Sequence, residues 1–183
     1  LDFAITIAAP YGQDAADTVS TSTDLRVPRD LEGLLDSLWL EIHRGSTGSG
    51  SSATDRVDRL AEWFSRGFAY DLDVRLSKDL DPLRAFFRAR RGYCEYFASG
   101  AVLLLRRSGI PARYATGLSD PEPVAGGSWW VYRQGGAHAW VEWKPDGGAW
   151  RAFDPTPADG RPRPDRSRWK MLTEIVSGWG GLA

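Results

Sequence analysis

Residues 92–111 read Gly-Tyr-Cys-Glu-Tyr-Phe-Ala-Ser-Gly-Ala-Val-Leu-Leu-Leu-Arg-Arg-Ser-Gly-Ile-Pro, and this stretch decides the fold. Apolar side chains in 97–105 cover most of the circumference of the helix that the spacing predicts at about 94–107, so this helix should be central and buried. Gly109 suits its C-terminal cap, and Pro111 prevents the helix from continuing. At the other end of the helix, Gly92 can form a turn, and the sequence then places a cysteine in the first turn of this buried helix.

Three more helices are predicted before this one, each with apolar residues at helical spacing and a capping residue at its start. Their predicted N-caps are Asp30, Thr54 and Asp81. Pro82 suits the first turn of the third helix, and Gly92 is expected to stop that helix. Residues 1–9 alternate between apolar and other residues, which suggests a short strand or an arm.

After the central helix the apolar period changes to two, which predicts strands. A Pro-Asp-Gly-Gly turn at 145–148 joins the last two strands as a hairpin. Helices followed by antiparallel strands indicate an α+β fold. We expect a single domain over 1–183, with a core at about 54–157, an N-terminal extension at 1–53 and a tail at 158–183 that carries a last short helix. The predicted strands cover 112–118, 128–134, 137–144 and 149–153.

Composition excludes several classes of protein. The formal net charge of -1 argues against nucleic acid as the main partner, because phosphate binding needs a basic excess. One cysteine and two separated histidines cannot build a familiar zinc site, and the sequence contains neither EF-hand spacing nor a phosphate-binding loop, so we expect no metal and no cofactor.

No apolar run approaches the roughly 20 residues that span a bilayer. Since the chain opens at Leu1 rather than Met, we interpret it as a fragment or a processed chain.

Cys94 stands where a helix can activate a thiol. The partial positive charge of a helix N-terminus lowers the pKa of a thiol from about 8.5. Arg90 and Arg91 would add to this effect if they lie nearby, whereas Glu95 opposes it. The alternative interpretation is a buried structural cysteine.

His138 and Asp154 are candidates for the partners of that thiol. His138 opens a strand after a Gly-Gly bend, and Asp154 ends the strand that the hairpin places beside it. A carboxylate there can accept a hydrogen bond from the second imidazole nitrogen and orient the ring. Each residue also has a structural interpretation, which for Asp154 is the start of a turn before Pro155. The other histidine, His43, is interpreted as a cation near a helix C-terminus.

Nine tryptophans are many for this length, and five of them fall in one short region: Trp129, Trp130, Trp140, Trp143 and Trp150. They indicate either a Trp-rich sheet core or an aromatic-walled substrate groove, and the two can coexist. We take Trp140, Tyr93 and Trp130 as candidate substrate contacts.

Four motifs in chain order resemble the transglutaminase-like core. They are Gly-Tyr-Cys-Glu-Tyr-Phe-Ala at 92–98, Gly-Ile-Pro-Ala-Arg at 109–113, Ala-His-Ala-Trp-Val-Glu at 137–142 and Phe-Asp-Pro-Thr at 153–156. The resemblance covers about 84–157, extends to most of the chain beyond residue 25, and is to bacterial proteins in which this core is the soluble domain of a membrane-anchored polypeptide. It implies a papain-like α+β architecture with Cys94 as nucleophile, His138 as base and Asp154 as the orienting group.

The resemblance further implies acyl transfer through a thioacyl-enzyme on a protein or peptide amide. Three alternatives stay open: cross-linking or deamidation by a transglutaminase, hydrolysis by a cysteine protease or amidase, and a non-catalytic module that binds cell-wall material. No motif assigns an oxyanion donor beyond the backbone amide of Cys94. Tyr93 and Tyr96 stand where members of this group often carry histidine, which affects local hydrogen bonding. The implied location is extracytoplasmic, with the cytoplasm as the alternative.

Overall fold

The computed structural model describes residues 22–44, 52–119, 121–123, 130–132 and 136–159. The strand predicted at the N-terminus and the short helix predicted in the tail lie outside these residues. The chain divides into two compact units. The larger unit contains all the α-helices of the described residues and most of a three-stranded sheet, and the smaller unit contains two short strands within Gly117–Ala137.

Four α-helices precede the sheet in the described part of the chain. Two short 3-10 turns, Ser22–Leu25 and Arg29–Leu31, lead into the first of them. The central helix has its predicted bounds and ends as predicted, with Gly109 at a φ of 81°. The helices are α1 at Glu32–Ile42, α2 at Ala53–Gly67, α3 at Pro82–Ala89 and α4 at Cys94–Arg107.

Of the three predicted N-caps, one is confirmed and two are wrong. The Asp81 carboxylate accepts hydrogen bonds from two backbone N–H groups at the start of α3, as predicted. The cap of α2 is Ser52 rather than Thr54, because only Ser52 has an acidic residue three positions later to complete a capping box with Asp55. Asp30 lies inside a 3-10 turn, and α1 begins without a side-chain cap.

The stop signal of α3 is also different from the prediction. The helix ends at Ala89 and Arg90 adopts the left-handed conformation after it, so the prediction that Gly92 stops the helix is wrong. Gly92 instead lies in a two-residue strand, β2 (Arg91–Gly92), which pairs in parallel with β1 (Ala69–Tyr70). This pairing was not predicted, because two-residue strands carry no measurable period.

The main sheet has the strand order β3-β6-β7, formed by β3 (Ala112–Leu118), β6 (Ala137–Trp143) and β7 (Arg151–Phe153). β6 and β7 are antiparallel, as the predicted hairpin requires, and Gly147 in the turn has a φ of 67°. Of the strand predicted at 128–134, the described residues form β5 (Trp130–Val131), which pairs with β4 (Glu122–Pro123) in the smaller unit.

The hydrophobic core surrounds α4, which contacts each of the other three helices. Val141 and Trp143 of β6 belong to the same buried cluster, so the sheet closes the core on another side. Trp143 is therefore a core residue, whereas Trp130 is 52% exposed. Five phenylalanines from α2, the residue after it, α3 and α4 pack in one group with mainly tilted or edge-to-face ring contacts: Phe64, Phe68, Phe86, Phe87 and Phe97.

Candidate active site

Cys94 is the first residue of α4 and carries a free thiol that is partly exposed. Tyr93 before it is extended and makes no side-chain cap, so no side chain of Tyr93 occupies the free N–H groups at the start of α4. The His138 side chain and the backbone N–H groups of Ala139 and Glu95 lie within hydrogen-bonding range of the sulfur and favour its thiolate. A helix start and a sheet strand therefore meet at this thiol.

His138 joins the thiol to a carboxylate on the neighbouring strand. Its Nε2 atom lies 2.7 Å from Oδ2 of Asp154, just beyond the end of β7. Oδ1 of Asp154 accepts a hydrogen bond from the Thr156 backbone N–H at 2.9 Å, which fixes the carboxylate plane. Because Nε2 is directed at Asp154, Nδ1 is the ring nitrogen that remains for Cys94. The structure thus brings Cys94, His138 and Asp154 together in one row.

The surroundings of Cys94 favour its thiolate. Burial of the sulfur is the largest single influence and raises the pKa of the thiol. The hydrogen bond with His138, the Ala139 N–H and the charge of the imidazole act in the opposite direction and together outweigh burial. The pKa of Cys94 is consequently lower than that of an ordinary thiol, and the imidazole is the main cause of the lowering.

The candidate substrate contacts differ in their placement. The Trp140 ring is half-buried and its centroid lies 6.4 Å from that of His138, with 27° between the planes. Tyr93 packs edge-on against Tyr96 at 4.8 Å, and burial followed by a hydrogen bond with Tyr96 raises the pKa of the Tyr93 hydroxyl. Trp130 lies in β5 of the smaller unit, and its role stays a prediction.

Tyr114 is a neighbour of the site that the sequence analysis did not single out. It lies on β3, is 42% exposed, and the pKa of its hydroxyl is raised by burial and then by the charges of Glu95 and Cys94. The alternation of β3 could have placed Tyr114 on one face of a strand. Only the folded chain shows that the Tyr114 hydroxyl lies within range of the charges of Glu95 and Cys94.

Two observations concern cofactors and membranes. In the described residues, no group of three or more histidine, cysteine, aspartate or glutamate side chains is arranged to hold a metal ion. None of the helices there is both long enough and apolar enough to cross a membrane.

The fold and site define an α+β protein in which a helix-start thiol, a strand histidine and a carboxylate on the next strand form one cluster. The profile of the Transglutaminase-like superfamily matches residues 41–155, more than half of the sequence, and the chain belongs to this superfamily. The resemblance drawn from the four motifs is thereby confirmed, and so is the α+β fold class.

Individual relatives are similar over parts of their length. A protein-glutamine gamma-glutamyltransferase of Pseudomonas aeruginosa is 41% identical over 71 residues, which are 38% of this chain and 10% of that protein. The uncharacterized protein YebA of Bacillus subtilis is 38% identical over 111 residues, which are 56% of this chain and 15% of YebA. The chain therefore spans a small fraction of the length of these curated relatives.

Among solved structures, the periplasmic domain of TgpA from Pseudomonas aeruginosa bound to ethylmercury superposes with a TM-score of 0.60 and 28% identity. The match covers 72% of this chain and 46% of the TgpA chain. The crystal structure of a TGase superposes with a TM-score of 0.51 at 16% identity over 84% of this chain and 39% of that one, which shows a shared fold.

Proposed function

We propose that this chain catalyses cysteine-dependent acyl transfer, with Cys94 as the nucleophile, His138 as general base and acid, and Asp154 as the group that orients the imidazole. One observation carries the proposal: the thiol lies within hydrogen-bonding range of the imidazole, whose Nε2 atom is 2.7 Å from Oδ2 of Asp154. Membership of the Transglutaminase-like superfamily supports the same assignment.

The chemistry divides into two steps. The Cys94 thiolate attacks the carbonyl carbon of a carboxamide, the C–N bond breaks, and His138 gives its proton to the departing ammonia or amine. A thioester remains on Cys94. An amine or water then attacks this thioester, His138 accepts the proton of the incoming group, and the thiolate leaves. The backbone N–H of Cys94 at the helix start is suited to stabilise the oxyanion in both steps.

Similarity to the Pseudomonas gamma-glutamyltransferase favours transamidation or deamidation of glutamine as the reaction of this chain. Hydrolysis of amide or peptide bonds is the second candidate, because the Asp154 side chain is 35% exposed and water can approach the site from that side. The similarity to the TgpA periplasmic domain supports an extracytoplasmic location for this domain.

The test offers the protein a glutamine-containing peptide together with an excess of a primary amine, and follows the peptide mass. We expect either addition of the amine or conversion of glutamine to glutamate in the parent protein, and neither with Cys94→Ala. Peptide cleavage that depends on Cys94 would favour the protease alternative. Product formation that persists in Cys94→Ala would contradict the proposal, and a parent protein inert toward peptides and activated acyl esters would favour a binding module.

A further inference from the structure

Arg90 combines an unusual backbone conformation with a position four residues before Cys94. Its φ is 52°, and it is the only residue other than glycine in the described part of the chain with a positive φ. Glycine usually takes this position after a helix, because a side chain there is strained. An arginine that persists in this conformation needs surrounding contacts that hold it.

Those contacts come from the ends of two other helices. Arg90 Nη2 donates to Oε1 of Glu41 near the end of α1 at 2.6 Å, and Trp63 Nε1 of α2 donates to the same oxygen at 3.0 Å. The guanidinium carbon also lies 5.4 Å from the Trp63 ring centroid and 5.2 Å from that of Phe68. Hydrogen bonds from Arg90, and then from Trp63, lower the pKa of Glu41, which keeps the carboxylate charged.

Backbone hydrogen bonds also hold the segment that leads from Arg90 to the thiol. The Arg90 carbonyl accepts from the Ala69 N–H at 2.9 Å, and the Gly92 carbonyl accepts from the Asp71 N–H at 2.7 Å. Gly92 is also packed so closely that an added Cβ would lie 3.0 Å from the Phe86 ring. Only Tyr93 separates this held segment from Cys94.

We propose that Arg90 is a positioning residue for Cys94: its contacts with Glu41, Trp63 and Phe68 fix the segment that aims the thiol at His138. This inference rests on the proposed function. Without the contacts of Arg90, residues 90–93 would sample more conformations, and the sulfur would spend less time in contact with the imidazole and the Ala139 N–H that stabilise its thiolate.

The test measures the pH dependence of Cys94 alkylation by iodoacetamide in the full chain for Arg90→Gln and Arg90→Lys. We expect Arg90→Gln to move the midpoint of the alkylation profile upward by about one pH unit, so that labelling below the midpoint slows about tenfold. Arg90→Lys keeps a cation beside Glu41 but loses the planar group against the rings. Its midpoint should therefore lie between those of the parent protein and Arg90→Gln. Far-UV circular dichroism identifies the folded variants, and Arg90→Lys alone decides if Arg90→Gln does not fold.

Arg107→Gln is the matched control. Arg107 makes a two-pronged ion pair with Asp36 of α1, at 2.7 and 2.8 Å, but at the opposite end of α4, roughly 20 Å from Cys94. The Arg107→Gln variant should lose a comparable link between helices and keep the alkylation profile of the parent protein. A folded Arg90 variant with the parent midpoint, or the same shift in Arg107→Gln, would overturn the positioning role and leave the proposed function intact. A parent protein with an ordinary thiol profile would overturn both.

Discussion

Replacing His138 by alanine is expected to slow acylation of Cys94 by about 10²- to 10⁴-fold, the usual contribution of a general acid–base group. The imidazole lies within hydrogen-bonding range of the sulfur and is the main cause of the lowered pKa of the thiol, so its removal reduces the thiolate fraction. It also removes the group that would protonate the leaving amine. Single-turnover acylation by a glutamine-containing peptide, whose leaving group is ammonia, is followed as protein mass at fixed pH and measures the combined loss.

His43→Gln is the matched control, since His43 is the only other histidine of the chain. Its Nδ1 atom is hydrogen-bonded to the Trp39 carbonyl at 3.0 Å, and the ring lies beside the Trp39 ring at the end of α1. We expect the parent acylation rate in His43→Gln. Equal rates in the parent protein and His138→Ala would show that the imidazole plays no part in the chemistry.

Replacing Leu104 by alanine is expected to lower the free energy of unfolding by about 2–5 kcal/mol. Leu104 is fully buried in α4, the helix that all three other helices contact, so the deleted carbons leave a cavity that the surrounding helices can fill only in part. Such a loss is a large share of the stability of an ordinary domain. Urea unfolding followed by tryptophan fluorescence and by circular dichroism measures the change.

Leu40→Ala provides the same chemical change at an exposed site. Leu40 lies within α1 and is 75% exposed, so the truncation should change the unfolding free energy by less than about 0.5 kcal/mol. Because both substitutions stay within a helix, the difference between them isolates burial. Similar losses in the two variants would mean that α4 is not the centre of the core.

The central helix could be predicted from sequence because its signals are local. These signals are the apolar surface around most of the helix and the residues Gly109 and Pro111 after it, and each acts within a few residues. The turn between β6 and β7 is a local signal of the same kind. Ser52 could have been identified in the same way, because the capping box with Asp55 is visible in the sequence. Thr54 has no such partner, because Val57 stands three positions after it.

Other features depend on residues far apart in the chain. The pairing of β1 with β2 joins short segments with no period of their own. The left-handed Arg90 is held by Glu41 of α1 and by two aromatic rings, one in α2 and one just after it. At the site, the hairpin explains why His138 and Asp154 are neighbours. The contact between Cys94 and His138 requires α4 to pack against β6, and no local pattern encodes that packing.

The most direct test of a thiol activated by its imidazole is the pH dependence of Cys94 alkylation by iodoacetamide, followed by intact mass, in the parent protein and in His138→Ala. Since the chain has one cysteine, the added mass reports a single site. The lowered thiol pKa predicts rapid labelling of the parent below the pH of about 8.5 at which an ordinary thiol ionises. His138→Ala should shift this profile upward and slow the labelling. Slow labelling that follows an ordinary thiol in both proteins would contradict the account.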